Sequence, residues 1–171
     1  MARNTVTKWI QRQARALPPL SETVTPPEEP EAAVLELDEM WSFVGSKQGP
    51  VWVWIALCRA TRQVAAWVLG DRSAETCLRL WAALPELWRR ATCYTDFYDA
   101  YQKVVPEGQH AAVGKGSGKT AHVERFNNTV RQRLGRFVRK TLSFSQSDLM
   151  HDYCLRLFLH EYNLSLANTR V

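Results

Sequence analysis

No two cysteines in this chain are spaced as C-x-x-C. Cys58, Cys77, Cys93 and Cys154 stand singly among apolar neighbours, which argues against a zinc site and for buried free thiols in a reducing compartment. No apolar run approaches the roughly 20 residues that span a bilayer, and the opening MARNTVTKWI holds no apolar signal core, so a cytoplasmic protein is expected. No internal repeat is present. A further absence concerns GKGSGKT, residues 114–120, a stretch that resembles a P-loop. Gly118, Lys119 and Thr120 would require a glycine at 113, but that residue is Val113, and Gly114 is one place too close. Without the first glycine the stretch reads as a flexible loop, and no nucleotide cofactor is expected.

Charge of one sign is missing from long windows. Residues 1–20 carry Arg3, Lys8, Arg12 and Arg15 and no acid, whereas residues 21–39 carry acids and no base. Residues 115–140 hold eight lysines and arginines against Glu124 alone. That window is +7 in a chain whose net charge is +5. Solvated helix faces mix both signs. A stripe this uniform points to a polyanion such as nucleic acid.

The chain has 171 residues, 46% of them hydrophobic, enough for one cored domain with an appendage. Residues 3–15 read as a short basic helix with Trp9 and Ile10 turned inward. Residues 18–30, PPLSETVTPPEEP, read as a linker. Three aromatic and β-branched runs, 32–45, 50–60 and 63–70, predict strands in an antiparallel meander. Residues 73–90 predict a helix capped by Ser73, which Pro85 kinks or splits. Residues 91–96 predict a fourth strand, parallel to the first because a helical crossover joins it to the meander. A short helix, a brief strand at HAAV, and helices over 119–139 and 146–165 complete an α/β domain, with Ser145 or Ser147 capping the last helix.

Acids are disfavoured on strands, so Asp38 in VLELDEMWSFV stands out. The odd positions of that strand are the more apolar, which turns Asp38 on the even face towards a helix or cleft. Asp96 ends the fourth strand, where sites form in α/β sheets. Glu124 borders the apolar stripe Val123, Phe126, Val130, Leu134 and Phe137, with Asn128 and Arg131 following on its side. Converging carboxylates repel one another unless a cation lies among them, and hard oxygen ligands suit Mg²⁺ or Mn²⁺. The plainer alternatives are an edge-strand charge, a helix cap and an exposed salt-bridge partner.

The stretches ELDEMWSFVGSK, YTDFYDAY and HVERFNNTVRQRLGRFVRKTLSFSQS resemble the DDE transposases of the insertion-sequence-one family. The resemblance covers roughly residues 32–165. It implies an RNase H-like, retroviral-integrase-like fold: a mixed sheet with a three-strand antiparallel meander and flanking helices. It also implies two divalent metal ions, Mg²⁺ or Mn²⁺, and DNA cleavage at transposon ends followed by strand transfer into target DNA. The family's acids fall on Asp38, Asp96 and Glu124, with Asp99 a rival for the second. DNA-binding positions are Lys119, Arg125, Asn128, Arg131, Arg133, Arg136, Arg139 and Lys140. Expected partners are transposon-end and target DNA and further copies of the chain in synapsis, with no membrane, in a prokaryotic, nucleoid-associated setting.

Residues 1–17 resemble the recognition helix of a helix-turn-helix whose supporting helix is absent, and no cysteine precedes Cys58 to form the family's upstream zinc segment. The expected division is therefore 1–17 truncated helix-turn-helix, 18–33 linker and 34–171 catalytic domain. Two other readings stand beside the transposase. One is a non-catalytic DNA-binding repressor or truncated transposase product; the other is a nuclease or resolvase of the same fold.

Overall fold

Strand β1 (Val34–Phe43) forms the middle of a mixed sheet, and its two faces organise the molecule. The computed structural model describes residues 3–168. Among them β1 is joined by β2 (Pro50–Cys58), β3 (Val64–Gly70), β4 (Thr92–Thr95) and β5 (His110–Ala112), in the order β3-β2-β1-β4-β5. The expected meander is present: β1 pairs antiparallel with β2, and β2 with β3. β4 is parallel to β1, as its crossover requires, with Glu36 opposite Tyr94, and β5 is parallel to β4.

Alternation divides the strand residues between two cores. Leu35 and Leu37, with Trp54 and Ala56, pack under α2 (Ala74–Ala83) and α3 (Asp99–Val104) through Cys77, Leu80 and Tyr101. Met40, Val53, Ile55 and Leu57 pack under α4 (Ala121–Arg133) and α5 (Asp148–Asn168) through Val123, Phe126, Val130, Leu155 and Leu159. Burial drives the thiols of Cys77 and Cys93 up to about 12, so both stay protonated and inert.

Pro85 splits one expected helix, as its position allowed, and a second expected helix is shorter than its apolar stripe suggests. The helix expected over 73–90 stops at Ala83, and Pro85 opens a separate 3-10 turn, Glu86–Arg90. The helix expected over 119–139 ends at Arg133; Leu134 is extended and Gly135–Phe137 form a 3-10 turn. Glycine there favours the break, because it gives up more backbone freedom in a helix than other residues do. Phe137 still reaches the core, stacked on His151 at 4.1 Å. His151 is held between Ser42 (3.0 Å) and Ser145 (2.8 Å), which ties the segment after α4 back to β1. Ser147, rather than Ser145, caps α5, accepting from the Met150 amide at 3.2 Å.

The N-terminal helix α1 (Arg3–Ala16) packs on α5. Ala14 is fully buried, and Arg15 Nε donates to the Tyr153 hydroxyl at 2.8 Å. Trp9, expected to turn inward, is 54% exposed. The Pro- and Glu-rich segment has an anchored stretch. Gln63 Nε2 donates to the Thr23 carbonyl at 3.0 Å, Asn163 Nδ2 donates to Thr23 Oγ1 at 2.9 Å, and the Thr25 amide donates to Gln63 Oε1 at 2.9 Å. Met1, Ala2 and 169–171, the outer ends of the helix-turn-helix-like and catalytic segments, lie outside the described residues.

Candidate active site

Two residues beyond the Glu36–Tyr94 pair lie Asp38, on β1, and Asp96, just past the end of β4. Both line a cleft of about 390 Å³ together with Glu39, Trp52, Arg72, Thr120, Glu124, Asn127, Asn128, Arg131 and Arg139. The three acids singled out from sequence are therefore brought to one cleft from a central strand, a strand end and a helix. Asp99 lies in the first turn of α3, exposed, and is not among the lining residues. Asp96 also accepts the Tyr98 amide at 3.0 Å, so it shapes the turn into α3 as well.

Glu36 sets where Glu124 lies. This fully buried carboxylate on β1 accepts the amides of His122 (2.9 Å) and Val123 (3.0 Å), the second and third residues of α4. These are the donors an N-cap side chain ordinarily satisfies. Glu36 also receives His122 Nδ1 at 2.6 Å and faces Arg59 at 3.5 Å. Thr120, at the cap position, makes no capping bond with its side chain. Its hydroxyl donates instead to Glu124 Oε1 at 2.9 Å. The glycine-rich stretch before it holds a 3-10 turn, Lys115–Ser117, and Gly118 at φ +67°, a conformation glycine adopts without strain.

Asp38 is the electrostatic centre of the cleft. Burial, with added repulsion from Glu39 and Asp96, pushes its carboxyl up to about 7. Asn127 works against this by donating Nδ2–H to Asp38 Oδ2 at 2.7 Å. Asn127 Oδ1 and Arg131 Nε are both buried and, among the described residues, without a hydrogen-bond partner. Burial also raises Glu39, opposed by the Tyr101 hydroxyl at 2.7 Å and by Arg72. A cleft in which burial disfavours the charged forms of Asp38 and Glu39, and whose acidic donors are hard oxygens, suits a divalent cation. Among the described residues no three His, Cys, Asp or Glu side chains are gathered closely enough to hold an ion as they stand.

The basic positions separate. Asn128, Arg131 and Arg139 line the cleft. Arg125 lines a different depression with Arg62 and Tyr162. Lys119 lies over the Tyr94 ring at 4.8 Å, while Arg133 and Lys140 are exposed. Arg136 donates to Ser145 Oγ at 3.3 Å and so braces the fold. Asn127, Arg72 and Glu36 were not singled out from sequence. Asn127 carried a signal: it lies four residues from Val123, a polar side chain on the buried stripe.

Strand order, the parallel β1–β4 pair and helices on both faces define an RNase H-like domain of the retroviral-integrase kind. The simian T-cell lymphotropic virus intasome, solved with a PP2A regulatory subunit, superposes at a TM-score of 0.53 and 12% identity, over 80% of this chain and 56% of that one. The family model described as IS1 transposase matches residues 32–164. Relatives include the insertion element iso-IS1n protein InsB of Shigella dysenteriae, 37% identical over 131 residues (77% of this chain, 97% of that one). The insertion element IS1 1 protein InsB of Escherichia coli is 31% identical over 161 residues, covering 90% and 92%. The chain belongs to the IS1 transposase family, and its folded body is a transposase catalytic domain. DDE transposases as a class bind DNA and use divalent metal ions. Among the described residues no helix is long and apolar enough to cross a membrane.

Proposed function

We propose that Asp38, Asp96 and Glu124 are the catalytic acids of a metal-dependent DNA cleavage and strand-transfer reaction. The observation that carries this reading is their presence, from three separate elements, in one cleft walled by Asn128, Arg131 and Arg139. Two divalent ions, Mg²⁺ or Mn²⁺, would supply the charge that activates the attacking oxygen and stabilises the leaving one. Asp38 and Asp96 offer oxygens from adjacent parallel strands, and Glu124 offers its own from the helix start that Glu36 fixes. Arg131 and Arg139 hold backbone phosphates, so binding falls steeply with salt. In the first step water attacks the phosphorus at the element's end and the P–O3′ bond breaks. The freed 3′-hydroxyl then attacks a target phosphate, displacing the target's 3′ oxygen.

Residues 34–171 act as the catalytic domain. Residues 1–17 are a truncated helix-turn-helix remnant that resembles a recognition helix, and 18–33 link it to the catalytic domain. Synapsis of two transposon ends requires more than one copy, in the nucleoid of a prokaryotic cell. The test is cleavage of transposon-end DNA with Mg²⁺ or Mn²⁺. Asp96→Asn and Glu124→Gln abolish cutting and keep DNA binding; wild-type cutting by both variants sinks the assignment. Metal-independent binding without cutting by the unaltered chain would return the repressor reading, and cutting without joining of a pre-cut end would return the nuclease reading.

A further inference from the structure

Arg72 belongs to the turn between β3 and α2, far in sequence from the basic helix. Its guanidinium lies 4.7 Å from the Trp52 ring centroid and 4.2 Å from that of Tyr98, between two aromatic rings. Nε and Nη2 both donate to Glu39 Oε1, at 2.9 and 2.6 Å, and Glu39 Oε2 is held in turn by the Tyr101 hydroxyl. The Tyr98 hydroxyl donates to the Arg72 carbonyl, which ties the turn itself. The Glu39 side chain is 2% exposed and that of Arg72 is 43% exposed. Among the described residues nothing bonds Arg72 Nη1. Arg72 lines the same cleft as Asp38 and Asp96.

The grip on Glu39 through Nε and Nη2 leaves Nη1 unused on a half-exposed side chain that lines the cleft. Stacking and the two-donor grip on Glu39 remove most of the rotamer freedom that an arginine otherwise loses on binding. The geometry points to Arg72 as a phosphate-binding residue. Its free Nη1 would hold a backbone phosphate of the DNA strand in the cleft of Asp38 and Asp96. This rests on the reading of the cleft as the DNA-processing site.

Binding of a fluorescein-labelled duplex with a pre-cut end, followed by anisotropy in EDTA across a salt series, tests the inference without calling on catalysis. Arg72→Lys keeps a cation beside Glu39 but loses the planar fork. The double variant Arg72→Gln, Glu39→Gln removes both charges of the pair, so the buried Glu39 is not left uncompensated. Both variants are expected to keep a cooperative thermal transition and to bind about tenfold more weakly, in line with the loss of one charged hydrogen bond. The double variant also loses about 0.9 from the salt slope, the share of one phosphate. Wild-type affinity in both variants, with an unchanged slope in the double variant, would overturn the inference and leave Arg72 as a partner for Glu39 only. Cleavage by Asp96→Asn and Glu124→Gln in parallel separates the two ideas, since it would remove the catalytic reading without touching the binding result.

Discussion

Asn127 on α4 and Asp38 on β1 are joined by a 2.7 Å hydrogen bond, Nδ2 to Oδ2, that ties a strand carboxylate to the helix bearing Glu124. The bond favours the ionised form of Asp38 in a site that otherwise favours the protonated one. Removing it by Asn127→Ala should raise the Asp38 carboxyl of the metal-free protein above its present value of about 7 and weaken divalent-ion binding about tenfold or more at neutral pH, the worth of a hydrogen bond to a charged group. Divalent-ion titration across pH checks this: the deficit narrows in alkaline buffer.

The same carboxyl governs stability without metal. Its ordinary value is 3.8 and its value in the fold about 7. Between those limits the folded chain carries a proton that the unfolded chain lacks, so stability falls as pH rises from near 4 to near 7 and then levels off. Asp38→Asn should therefore stabilise the metal-free protein at pH 8 and confer little at pH 4. Urea unfolding in EDTA at the two pH values measures it.

Glu36 acts as a cap supplied from another element. Glu36→Ala leaves the His122 and Val123 amides without their acceptor, and the expected loss is about 1–3 kcal/mol for a buried group left unsatisfied. Glu36→Gln keeps one acceptor and should fall between. Hydrogen exchange at His122 and Val123 distinguishes local fraying of α4 from global unfolding, and cleavage should fall in step with the fraying.

The basic residues should sort by position rather than by charge. Arg139→Gln, in the cleft wall, is expected to lower the salt slope of DNA binding by about 0.9. Arg136→Ala removes the bond to Ser145 and should act on the unfolding midpoint with little change in slope. A filter-binding salt series beside thermal melts reads both.

Much of this was legible in the sequence because period and charge carry it. The alternation around Asp38 identified its face, the crossover made β4 parallel to β1, and part of the basic strip, Arg131 and Arg139, lies in the cleft wall. What escaped depends on pairs distant in the chain. Nothing local marks Arg72 in the loop LGDRSAE as the partner of Glu39, 33 residues earlier. Glu36 shares a face with Asp38, yet its task exists only once α4 docks. The end of α4 at Arg133 escaped because the apolar stripe continues to Phe137, which is buried by a 3-10 turn instead of another helical turn. Trp9 escaped because a large aromatic on a short helix ordinarily seeks cover.

The parallel pairing of β1 with β4 also sets a timetable. Hairpins of the meander join residues near in the chain and can form early, whereas Glu36 must find Tyr94 after the whole α2 crossover has been made. Glu124 comes later still. A nascent chain that has just released β3 from the ribosome holds Asp38 and Glu39 on a hairpin and no cleft at all. On the proposed assignment of Glu124, competence to cut DNA would thus arrive only after translation has passed residue 124.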